Sequence, residues 1–182
     1  KITPELEKEL AQKTASVEAN PNSPAAHFDL AITQAYTNHI EEGLDELKKV
    51  NEIDKTYAPL ALNLYSKEAE ANPTDWKIKF RLAFALYFNG KKPEAIEVLT
   101  QVADMDPKDD PKRVWAYGYM SLIYGEMNKI DEAINWAKKA ISIDSNVAAI
   151  HLLLAAGYSK KGQGWPAFWE GVEALRLRAL GY

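Results

Sequence analysis

The 182-residue chain is 47% hydrophobic and 26% charged, has no cysteine and carries a formal charge of −4. Disulfide frameworks, thiolate nucleophiles and cysteine-ligated zinc are therefore excluded, and no apolar run reaches the roughly 18 residues a membrane span needs. The charge is polarised, with 7 basic and 14 acidic side chains over residues 1–75, 11 and 10 over 76–146, and 4 and 2 over 147–182. This argues against nucleic acid as the main ligand, because phosphate binding needs a basic stripe. A cytoplasmic location is expected, the alternative being an extracytoplasmic one with an anchor ahead of Lys1.

In chain order, residues 1–20 predict a capping helix, in which Leu6, Leu10 and Val17 make a narrow apolar stripe among Glu5, Glu7, Lys8, Glu9 and Lys13. A helix pair is expected over 24–54, then an extra helix over 56–72, then pairs over 76–109, 114–147 and 148–181. Stops and starts punctuate them: Asn89-Gly90 before Pro93, Asn128-Lys129 before Asp131, and Gly162-Gln163-Gly164 before Pro166. No sustained period-2 alternation suggests a strand.

Laid against itself, the chain repeats. Glu18-Ala19-Asn20-Pro21 returns as Glu70-Ala71-Asn72-Pro73, and Phe28-Asp29-Leu30-Ala31 as Phe80-Arg81-Leu82-Ala83, both 52 residues later. Glu94-Ala95-Ile96 returns as Glu132-Ala133-Ile134 after 38 residues, and Ala133 is followed by Ala167 after 34. Periods of this size mark repeat architectures.

Tyr117, Met120-Ser121, Tyr124, Ala133 and Ala140 stand at the signature places of a helix–turn–helix unit, and here the chain resembles the tetratricopeptide-repeat family. The resemblance implies an all-α, right-handed helical-repeat solenoid of about ten antiparallel helices in a single domain. It also implies that the first helix of each pair turns certain residues toward a concave groove. Those expected there are Phe28, Ile32, Tyr36, Phe80, Phe84, Tyr87, Phe88, Trp115, Leu122 and Leu152, with Gly118, Gly125, Glu126, Ala156 and Lys160 among the further inward positions. Family members that clamp carboxylate termini carry basic and amide side chains at several of these places, so that function is not carried over. The competing arrangement has several of the rings as core between helices. Phe84→Asp separates the two: partner capture lost with stability kept in the first case, a large loss of stability in the second.

Chemistry finds little support. His27, His39 and His151 fall in separate repeats, and Asp104, Asp106, Asp109 and Asp110 lack the glycine turn and terminal glutamate of a calcium loop. Gly157 to Gly164 has no phosphate-loop spacing. The expectation is thus a scaffold that is not an enzyme and has no cofactor or metal, holding a protein or peptide of partly apolar character. The alternative is a self-assembling structural protein, with Trp165, Phe168 and Trp169 as the contact between copies, because too many apolar residues line the last helix for an exposed one.

Overall fold

The computed structural model describes residues 3–105 and 110–182, and among them finds ten helices and no strand. They are α1 (Pro4–Ala19), α2 (Pro24–Ala35), α3 (Ile40–Ile53), α4 (Tyr57–Ala71), α5 (Trp76–Phe88), α6 (Lys92–Asp104), α7 (Asp110–Glu126), α8 (Ile130–Ile143), α9 (Ala148–Lys160) and α10 (Gly164–Ala179). Two compact units divide the chain, Lys1–Ala95 and Ile96–Tyr182.

The 52-residue duplication is a duplication of helix ends. Asn20 and Asn72 close α1 and α4 in the same backbone conformation, and each side-chain amide donates to the carbonyl four residues back. Three residues later Ser23 and Asp75 open α2 and α5, their side-chain oxygens accepting from Ala26 N in one case and from Lys77 N and Ile78 N in the other. Gly90 and Asn128 take the left-handed conformation at the stops the sequence marks, with φ of 74° and 60°.

In the first unit the core is aromatic. Phe28 on α2 lies 5.9 Å from Tyr57 and 5.6 Å from Tyr65, both on α4, and 5.5 Å from Phe88 on α5. A second row runs from Trp76 through Tyr36 to Phe80 and Phe84, with centroid spacings of 5.2–5.9 Å. Gly43 lets α3 approach α2, since a Cβ there would stand 2.9 Å from the Ala31 carbonyl oxygen.

The second unit closes on small residues. Gly157 on α9 faces Ile134 of α8, where an added Cβ would come within 2.7 Å. Ser121 of α7 donates to the Ala133 carbonyl at 2.7 Å, and Ala116, Ala137, Ala140, Ile150 and Ala174 are fully buried around them.

Each unit also carries the same histidine cross-link. His27 Nδ1 is 2.5 Å from Glu46 and its Nε2 2.7 Å from the Pro21 carbonyl, tying α2 to α3 and to the preceding turn. His151 repeats this at 2.6 Å with Glu170 and 2.8 Å with the Ser145 carbonyl, tying α9 to α10. Each of these histidines thus ties two helices and the turn before them together. Among the described residues no group of three or more histidine and acidic side chains is placed to hold a metal ion. Asp106 and Asp109, and the side chain of Asp110, lie outside the described residues.

Candidate functional site

Inward-facing positions have different fates in the two units. In the first, Phe28, Ile32, Tyr36, Phe80 and Phe84 are buried, Phe28 at 0% and Phe84 at 5% exposure, while Tyr87 and Phe88 are half-buried. For Phe28 and Tyr36 the cover includes the pair of extra helices, while Phe80 and Phe84 pack on Tyr36, Trp76 and each other. α4 lays Tyr57 and Tyr65 on Phe28, and α1 sends Glu9 onto Thr33 and Tyr36. Side chains that a plain array of helix pairs would turn to a ligand are here packed by the chain itself. For Phe84 this is the arrangement in which aspartate costs stability rather than capture alone.

In the second unit α7–α8 and α9–α10 follow one another as pairs with no inserted helix, and although Trp115 and Gly118 are buried, part of the expected face stays open. There α7, α8 and α9 enclose a cleft of about 160 Å³ lined by Ser121, Leu122, Gly125, Glu126, Ile130, Ala133, Leu153, Ala156, Gly157 and Lys160. Five of these, Leu122, Gly125, Glu126, Ala156 and Lys160, are positions at which the sequence expects a groove. Trp115 is buried and Leu152 half-buried, and neither lines the cleft. Ile130 and Leu153 escape sequence reading because they enter from the start of α8 and from beside the expected row on α9.

The cleft's chemistry follows from its walls. Leu122, Ile130 and Leu153 are half-buried, so apolar surface is available to a guest. Gly125 leaves room beside them, whereas the missing side chain of Gly157 faces Ile134 and not the cleft. Gly125 is only loosely constrained, since an added Cβ would meet nothing closer than the Ala133 Cβ at 3.8 Å. Glu126 and Lys160, also in the lining, are exposed, one acidic and one basic. The Ser121 hydroxyl already serves the α7–α8 contact.

A second exposed feature lies on α10. Trp165 is 75% exposed, Trp169 61% and Leu175 68%, and Phe168, Val172 and Leu180 are also open to solvent. The rings lean on each other, Phe168 standing 6.2 Å from Trp165 and 5.3 Å from Trp169, both edge to face.

Comparison with known proteins bears on the fold. A family model described as tetratricopeptide repeat matches residues 116–147. No curated protein sequence matches. Among solved structures, one of MamA is 20% identical over 97% of this chain and 90% of its own, with a TM-score of 0.53. MamA from Desulfovibrio magneticus RS-1, residue 41 to the end, is 17% identical over 97% and 87%, at 0.57. YrrB, described as a TPR protein with an unusual peptide-binding site, is 16% identical over 92% of each chain, at 0.56. Residues 116–147 are a tetratricopeptide repeat, and the chain has the all-helical fold of tetratricopeptide-repeat proteins.

Proposed function

We propose that the chain is a protein-interaction scaffold, not an enzyme, and that the second-unit cleft receives an apolar side chain of a partner peptide or helix. The observation that carries this reading is an open apolar hollow between Leu122, Ile130 and Leu153, beside which Gly125 leaves room. A hollow of this size suits one aliphatic or aromatic anchor, and such anchors dominate peptide recognition. The solved structure of YrrB, a protein of the same fold described by its peptide-binding site, is consistent with it.

Ala156 supplies the test. It lines the cleft, is exposed and lies within α9, so Ala156→Leu fills the hollow from a solvent-facing position. Peptides selected on the wild-type chain from a random library should carry a large apolar residue. They should bind Ala156→Leu at least tenfold more weakly, on the order of 1.4 kcal/mol, with the melting temperature unchanged. Equal binding would remove the cleft as the site.

The exposed rings of α10 favour a second reading, in which copies of the chain associate through that helix. Contiguous apolar patches of this kind mark interaction surfaces. Light scattering should then give a mass near twice 20.4 kDa at high concentration; a monomer throughout contradicts it.

A further inference from the structure

The first unit contains an ionic seat that is filled by the chain itself. α1 has no buried residue, and only its Leu6, Glu9, Leu10, Lys13, Val17 edge is half-covered. Through Glu9 that edge reaches both α2 and α5. Thr33 Oγ1 donates to Glu9 at 3.3 Å, the Tyr36 hydroxyl donates to the same carboxylate oxygen, and Lys77 Nζ donates to the other at 3.0 Å. One turn on, Lys13 pairs with Asp29 at 3.4 Å, and Asp29 also accepts from the Tyr65 hydroxyl at 2.8 Å. Arg81 stands between the two carboxylates, 3.9 Å from each, and its Nε is buried with no hydrogen-bond partner. Burial opposes the Glu9 charge, but the Tyr36 and Lys77 hydrogen bonds and the Lys77 and Arg81 charges outweigh it and hold its carboxyl below the ordinary value.

We propose that Thr33, Tyr36, Lys77 and Arg81, with Asp29 beside them, form a recognition surface for a partner helix that carries a glutamate and, one turn later, a lysine, and that α1 is its internal and displaceable occupant. Three observations carry it. The cradle presents two hydroxyls, an ammonium and an incompletely bonded guanidinium to one carboxylate, which is the donor set of a carboxylate receptor. The second charge, Asp29, has opposite sign and fixes the direction of the bound helix, so the surface reads a pair of charges rather than a lone anion. The resident helix is attached mainly by these polar contacts and by a narrow apolar edge, the profile of an element that opens at low free energy. The proposal is independent of the second-unit cleft.

The test uses the full chain and, as probe, a fluorescein-labelled peptide of the sequence of residues 1–20. Glu9→Lys in the protein sets a cation against Lys77 and Arg81 and loosens α1 while leaving the cradle intact. It should bind the probe at least tenfold more tightly than the wild type does, and adding Lys77→Glu should abolish the gain. A probe with glutamine in place of its own glutamate at position 9 should bind at least tenfold more weakly. Circular dichroism follows the fold in parallel, and Glu9→Gln, which keeps the side-chain shape, should show the same gain at smaller size should Glu9→Lys prove unstable. Equal binding by wild type and both Glu9 variants overturns the proposal, as does a gain that survives Lys77→Glu or that a scrambled probe reproduces. A doubled wild-type mass that Glu9→Lys abolishes would seat α1 in a second copy, and overturns the internal occupant.

Discussion

Phe28→Ala should cost the first unit about 3–5 kcal/mol, the range for truncating a fully buried phenylalanine. Phe28 has no exposed surface and touches rings from α4 and α5, so a cavity left there cannot be refilled without moving two helices. Removing the ring also strips Tyr57 and Tyr65 of the partner that holds α4 against α2. The loss should appear as a lower urea midpoint and as faster hydrogen exchange in α2, α4 and α5. Phe84→Asp should act in the same direction, because it introduces a charge where only 5% of the residue meets water. A Phe28→Ala protein with wild-type stability would show that α4 does not seal the inner face of α2.

His27→Leu should be the next most damaging change, at about 3 kcal/mol, because the Glu46 carboxylate and the Pro21 carbonyl both lose the ring they are bonded to. The Glu46 side chain is only 10% exposed and keeps a single cation, Lys49 at 2.8 Å, while the Pro21 carbonyl loses the ring altogether. The equivalent change in the second unit, His151→Leu, should cost less, about 1–2 kcal/mol, since Glu170 is 26% exposed and water can replace the imidazole. Urea denaturation of the two variants side by side checks the order. Equal losses would mean that the bracket works through ring packing and not through its buried acceptors.

The helices were legible because their signals are local. Asn-Pro at the ends of α1 and α4, Ser23 and Asp75 as caps, and Gly90 and Asn128 as stops each act within a few residues of chain. The 52-residue offset likewise exposed the three-helix repeat. What the offset leaves hidden is where the third helix packs. Tyr57 and Tyr65 read as residues of an inserted helix, and nothing in their spacing says that they cover Phe28. Similarly, Glu9 reads as one acid among several on a polar helix face, and only the fold brings it to Tyr36, Thr33 and Lys77, the last of them 68 residues away. In the second unit five of the positions expected to face inward line the cleft, and Trp115 and Leu152 do not. No additional helix follows α8 before α9, so Leu122, Gly125, Glu126, Ala156 and Lys160 stay on the inner face that repeat geometry assigns to them.

One consequence is a division of labour inside one sequence pattern. Aromatic rings at the expected inward positions of the first unit are core, and in the second unit Gly125 and Ala156 at such positions line a cleft. Substituting the rings therefore probes stability, and under the proposed function substituting Ala156 or Gly125 probes recognition.

Whether the second-unit cleft holds a partner segment is read directly by methyl nuclear magnetic resonance of the full chain titrated with a library-selected peptide. Shifts are expected at Leu122, Ile130 and Leu153 that saturate with the peptide and disappear in Ala156→Leu, while the methyl groups of α10 stay in place. Saturating shifts confined to Val172, Leu175 and Leu180 of the α10 region, with the cleft silent, would contradict it.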